Sequence, residues 1–248
     1  MMESAARDTP IPSFVLVHGA FHGGWCWKPV ARILRASGHD VYTPTQTGLG
    51  ERKHLMSTDI SMETFVLDVL NVIETEDLHD VVLVGHSYGG RSISGVADRI
   101  PERIRKLIYI DGGLAADGRS RLDAMSEEAR EQRIQSSIAF DGGISVPPPP
   151  ATRFGMSDPD QIEWVERFLT PQPLGAERTP LPLTHPIGNG LPVAFVHCVA
   201  PAFSVTAASA QFARSQPGWI VHEFQGGHNA IVTHPREIAD LLLKEAAT

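Results

Sequence analysis

The segment Gly85-His86-Ser87-Tyr88-Gly89 constrains this chain more than any other. It follows the apolar run Val81-Val82-Leu83-Val84 and precedes a run of small residues from Gly90 to Ala97. A strand, a sharp turn and a helix are predicted, with Ser87 at the apex. A turn this tight needs glycine two positions on either side, so that backbones can approach closely. It lifts the serine hydroxyl to the carboxyl edge of a sheet and aims the next backbone N–H, at the start of a helix, toward the same space. A G-x-S-x-G match arises by chance in roughly one chain of this length in ten, so the strand before it and the helix after it carry the reading of a nucleophile elbow.

The rest of the chain supplies the sheet such an elbow needs. Short apolar runs at 14–17, 40–43, 81–84, 104–110, 192–198 and 219–224 read as strands. Between most of them lie helical patterns. The clearest is capped by Ser61, with Met62, Phe65, Val66, Val69, Leu70 and Ile73 on one side. Alternating strands and helices imply parallel βαβ units, and continuous apolar runs imply strands buried on both faces. The predicted fold class is therefore α/β, a mostly parallel sheet of about six strands with helices on both faces. The alternation fails between Gly113 and Gly190, where no strand is evident. There a charged helical stretch (121–137), the run Val146-Pro147-Pro148-Pro149-Pro150 and a helix opened by Asp158-Pro159 read as a mainly helical cap. The expected organisation is a loose tail at 1–12, a core at 13–112 and 190–248, and a cap at 113–189.

Composition narrows the function. The chain has 248 residues, 42% hydrophobic and 20% charged, with a formal net charge of −8 and no Lys/Arg cluster, so nucleic acid is not an expected partner. No apolar run reaches the length of a membrane span, the start lacks a signal-peptide core, and two cysteines make no disulfide framework, so a cytoplasmic protein is expected. Nucleotide phosphate loops are missing, as is H-E-x-x-H, so no cofactor and no metal are expected, although His18, His22, His54 and His86 are of a ligand type. Oligomeric state leaves no mark on the sequence.

A serine hydroxyl needs a base within hydrogen-bond reach and donors for an oxyanion. His228, in Gly226-Gly227-His228-Asn229 just past the last strand, is the best base among 11 histidines. A loop histidine is ordinarily just solvated; its place after the last strand of a sheet that carries an elbow argues otherwise. The glycine-rich His18-Gly19-Ala20-Phe21-His22-Gly23-Gly24 loop can turn N–H groups near Ala20 and Phe21 toward the elbow.

These segments, with Thr47-Gly48-Leu49-Gly50-Glu51-Arg52, resemble the α/β-hydrolase fold, and more narrowly its esterase and hydroxynitrile-lyase branch. They are similar to bacterial carboxylesterases and amidohydrolase-like members acting on aryl esters, pyrethroids and carbamates. The resemblance covers about 13–112 and 190–248 and is weak in the cap. It implies Ser87 as nucleophile, His228 as base, and the backbone N–H groups of Ala20 and Tyr88 as oxyanion hole. Many relatives have an aspartate after the fifth strand, but here Cys198-Val199-Ala200-Pro201-Ala202-Phe203 offers no carboxylate. Asp111, ending the fourth strand, is the substitute in topology; equally, it reads as a turn residue before Gly112-Gly113, and a Ser–His dyad is a third possibility. Glu223 is a poorer candidate. Trp25, Trp27 and Phe21 read as packing near the first loop, with Phe21 and Tyr88 also candidates to line the acyl pocket; Trp164 and Phe168 read as cap core, and Arg91 as a surface or helix-face charge.

The expected activity is hydrolysis of a small hydrophobic ester, or a carbamate, through an acyl-enzyme. Two alternatives stand beside it. A hydroxynitrile-type lyase commonly has lysine after the histidine, where this chain has Asn229. A non-enzymatic receptor on the same fold is the other.

Overall fold

The apolar runs become the strands of one parallel sheet. The computed structural model describes residues 11–114 and 118–248. All but two residues of the expected tail at 1–12 lie outside them. In chain order the strands are β1 (Phe14–Val17), β2 (Val41–Tyr42), β3 (Val81–His86), β4 (Ile104–Ile110), β5 (Ser145–Val146), β6 (Gln172–Pro173), β7 (Val193–Cys198) and β8 (Ile220–Phe224). The helices are α1 (Lys28–Ala36), α2 (Met62–Thr75), α3 (Gly89–Arg99), α4 (Glu127–Asp141), α5 (Pro159–Glu166), α6 (Leu174–Arg178), α7 (Ala207–Ser215), α8 (Ala230–Thr233) and α9 (Pro235–Ala246).

Six strands pair in the order β2-β1-β3-β4-β7-β8, every neighbour parallel. The period of two sorts their side chains onto two cores. Phe14 and Leu16 of β1 pack with α1 and α9; Val15 and Val17 pack with α2 and α3 on the other face. Ser61 caps α2, its side chain accepting from the Thr64 N–H while Thr64 Oγ1 accepts from the Ser61 N–H. All six apolar residues expected on the buried side of α2 are buried. The sheet's order reverses between β1 and β3, so the loops leaving their carboxyl ends diverge and open a crevice at that switch point.

The region inserted between β4 and β7 departs from expectation in two ways. It holds strands after all. Ser145 and Val146 pair antiparallel with Pro173 and Gln172, a ladder too short to leave a period in the sequence. Its charged helix is shifted along the chain. Ser126 caps α4, which starts at Glu127 and ends where Gly142 turns left-handed at φ 78°.

The C-terminal helix α9 is fastened by charge. Lys106 of β4 and Glu245 of α9 are both nearly inaccessible and meet at 2.8 Å, and His222 of β8 bonds the other carboxylate oxygen at 2.8 Å. Burial alone would raise the Glu245 carboxyl, but the hydrogen bonds from Lys106 and His222 outweigh it and hold the group below its usual range. Removing one partner strands the other charge in the interior. Lys106→Met is therefore expected to cost about 3–5 kcal/mol in urea unfolding, and Lys106→Met with Glu245→Leu to recover most of it. Equal losses in the single and double variants would contradict this.

Candidate active site

Ser87 occupies the left-handed region at φ 51°, a conformation non-glycine residues adopt only when their surroundings force it. Three backbone hydrogen bonds do so. Its N–H donates to Ile110 O (3.1 Å), and its carbonyl accepts from Gly90 N–H (3.1 Å) and Gly113 N–H (2.7 Å). The turn tolerates no side chain nearby. A Cβ on Gly85 would stand 2.8 Å from the Gly89 carbonyl oxygen, and one on Gly89 would stand 2.6 Å from that of His18. This is why the sequence has glycine on both sides of Ser87.

The hydroxyl reaches the imidazole expected of it. Ser87 Oγ lies 2.8 Å from His228 Nε2, and His228 Nδ1 lies 2.6 Å from Asp111 Oδ2. Asp111 is fully buried and is itself left-handed at φ 44°, with its N–H on Val196 O (2.7 Å). A buried carboxylate accepts only, so the proton between them sits on Nδ1, and Nε2 is free to accept from the serine. Asp111 is thus no mere turn residue. Glu223 instead pairs outward with Arg214 at 2.7 Å. The loop after β7 has no acid but contributes two residues that sequence reasoning did not single out. Thr206 Oγ1 donates to Asp111 Oδ1 at 3.0 Å, and the Phe203 ring lies over His228 with centroids 4.1 Å apart.

The loop after β1 faces the elbow. A Cβ on Gly19 would lie 2.7 Å from Ser87 Cβ, so the backbone there comes as close to the serine as glycine allows. Among the described residues the N–H groups of Ala20 and Tyr88 have no hydrogen-bond partner. That of Phe21 is taken: it donates to Gln172 Oε1 of β6 at 3.1 Å, while Phe21 O accepts from Thr170 N–H at 2.9 Å. So of the two adjacent amides, only Ala20's is open to the cavity. Gln172, fully buried, left no sequence signal because its strand is two residues long.

The histidines around the loop are neutral spacers. His18 Nε2 accepts from Gln46 N–H (3.0 Å), so its Nδ1 carries the proton and donates to Gly19 O (2.8 Å); burial pushes its pKa down to about 3. His22 Nδ1 bonds Ala20 O at 2.8 Å, and burial pushes its pKa down to about 4. His86 Nε2 donates to the His228 carbonyl at 2.8 Å, and burial holds its pKa well below the usual value. His54 lies apart, exposed on the turn Gly50–Leu55. Among the described residues, no group of three or more His, Cys, Asp or Glu side chains could hold a metal ion.

A cavity of about 850 Å³ opens over Ser87 and His228. Ala20, Phe21 and Tyr88 line its floor, and Met125, Pro147, Phe154 and Phe203 are among its apolar walls. Arg91, expected as a surface or helix-face charge, is 4% exposed and lines the same cavity, bonded to the Arg119 carbonyl. Trp164 and Phe168 pack against Trp25 instead, as expected of packing residues. Asn229, next to His228, is buried and neutral against Met156.

The sequence matches the alpha/beta hydrolase family over residues 14–241. The chain belongs to this family. This hydrolase is 41% identical to a carbendazim hydrolyzing esterase from Nocardioides sp. (strain SG-4G), over 93% of this chain and 98% of that one. An extracellular alpha/beta-hydrolase from a Paenibacillus species superposes with a TM-score of 0.81 at 26% identity, over 94% and 98% of the two chains. A pyrethroid hydrolase from Sphingobium faniae JZ-2 shares the fold at a TM-score of 0.71 and 21% identity, over 96% and 98%. Fold, family and relatives make this chain an esterase of the serine-hydrolase type.

The buried histidines set how the fold responds to acid. Unfolded, each takes up a proton near pH 6.5; folded, His18, His22 and His86 stay neutral to far lower pH. The unfolded chain therefore binds more protons over that window, and stability falls as pH drops, about tenfold in the folding constant per pH unit for each such group. Urea midpoints are expected to be level above about pH 7.5 and to fall from about pH 6.5 downward, ahead of the carboxylates. A level midpoint down to about pH 5 would refute the neutral assignment.

Proposed function

We propose that this hydrolase cleaves small hydrophobic carboxylic esters and carbamates through an acyl-enzyme formed on Ser87. His228 takes the Ser87 proton at Nε2 as Oγ attacks the carbonyl carbon. Asp111 holds the imidazole in the required tautomer and stabilises the cation that forms. The carbonyl oxygen, now bearing the negative charge, receives hydrogen bonds from the N–H groups of Ala20 and Tyr88. His228 then passes its proton to the departing alcohol and activates the water that releases the acid.

One observation carries the reading: the unbroken relay from Asp111 Oδ2 through His228 to Ser87 Oγ, at 2.6 and 2.8 Å. The unused amides of Ala20 and Tyr88 beside it support the oxyanion role. Support for the ester class comes from the apolar cavity walls and from the relative named for hydrolysing carbendazim. Phe21, 5% exposed and lining the cavity with Gly19, Ala20 and His22 of the same loop, is placed to meet the substrate. A neutral, buried Asn229 gives no cation to hold a leaving cyanide, which favours hydrolysis over lyase chemistry.

An ester and carbamate panel, with carbendazim included, tests the proposal. Ser87→Ala should lower turnover by about 10⁴-fold or more without moving the thermal midpoint, and full activity in that variant would overturn the assignment. Asp111→Asn should keep the geometry yet lower kcat by about 10³- to 10⁴-fold, because the amide favours the wrong histidine tautomer. Near-normal rates in Asp111→Asn would clear Asp111 of the role.

A further inference from the structure

The roof of the catalytic cavity carries a charge that neither the protein's balance nor its esterase reading calls for. The chain's net charge is −8, yet Arg91, Arg121, Arg133 and Arg153 line this cavity, and Glu177 is the one carboxylate among the described residues that line it. Glu177 is fully buried and already engaged. Arg133 of α4 grips it with Nε and a second guanidinium nitrogen, a bidentate pair, and its guanidinium lies over the Phe21 ring at 5.4 Å.

Arg121 is different. It is half-buried in the cavity wall, and among the described residues its guanidinium has neither a hydrogen bond nor an ion pair. Burial, reinforced by the neighbouring charges of Arg133 and Arg91 and only partly offset by Glu177, draws its pKa down, the mark of a cation short of partners. Arg91, Arg121, Arg133 and Glu177 all act electrostatically on the Tyr88 hydroxyl, which belongs to the residue next to Ser87. An incompletely solvated guanidinium facing a ligand-sized hole is a fork awaiting a planar anion.

We propose that Arg121, with Arg133 beside it, forms an anion subsite that takes a carboxylate carried by the substrate. The substrates favoured are then esters with an apolar spacer and a free carboxylate at the far end, of the hemi-ester type. The proposal rests on the esterase reading and narrows it.

The test compares monomethyl adipate and monomethyl pimelate with methyl heptanoate and dimethyl adipate, by pH-stat, on wild type, Arg121→Gln and Arg121→Glu. Wild type is expected to favour the hemi-esters in kcat/KM by about 10- to 100-fold. Arg121→Gln should lose at least tenfold of that ratio, and Arg121→Glu should invert it. Equal rates for charged and neutral esters in wild type, or an unchanged ratio in either variant with a wild-type thermal midpoint, would overturn the subsite. Calorimetric binding of adipate to Ser87→Ala, with and without Arg121→Gln, decides the matter independently of turnover. At least tenfold weaker binding in the double variant supports the subsite, and equal or undetectable binding in both refutes it. Failure of wild type to cleave any of the four esters would count against the esterase reading, while the binding arm still decides the subsite.

Discussion

The structure turns on one backbone constraint, the left-handed Ser87 held between β3 and α3. A residue in that conformation costs of order 1–3 kcal/mol, and it persists here because three hydrogen bonds and two glycine contacts leave it no alternative. Two of those bonds come from neighbours of the site itself. Ile110, which accepts from Ser87, precedes Asp111, and Gly113, which donates to it, follows. The same few residues that strain Ser87 therefore seat the Asp111 carboxylate, and the sheet itself assembles the relay.

Rings surround the imidazole of that relay. His228 lies under Phe203 and beside His86 and Phe154. The neutral histidines His18, His22 and His86 bond loop carbonyls, so they stiffen the backbone without adding a cation next to His228. Asp111 is the one carboxylate in this inner group, and Thr206 satisfies its second oxygen. Cys26 and Cys198 complete the quiet surroundings: both are buried, and burial, aided at Cys198 by the charge of Asp111, raises their thiols out of the reactive range.

The sheet, the elbow and the pairing of Ser87 with His228 were legible in the sequence because each rests on local patterns: apolar runs, flanking glycines, a loop after the last strand. Asp111 was half legible. Its position at a strand end was plain, but an Asp-Gly-Gly turn looks the same whether or not its carboxylate meets a histidine 117 residues away. Gln172, Thr206 and the arginines of the roof were not legible, since their meaning depends on contacts that cross from one element to another. Arg91 shows the limit well. On a small-residue helix it reads as a surface or helix-face charge, yet the inserted region folds over it and makes it interior.

The bond from the Phe21 N–H to Gln172 has a consequence for how this fold can vary. It stitches the inserted region to the very loop that carries Ala20, and Thr170 adds a second stitch at the Phe21 carbonyl and a third at Gly50. A roof sewn down at its hinge cannot swing away as a whole without unseating the amide beside it. None of these three bonds falls on the margin lined by Gln132, Arg133 and Ser136 of α4 and by Pro147, Pro148 and Pro149. Drift in specificity should accumulate along that margin, while the stitched edge stays fixed.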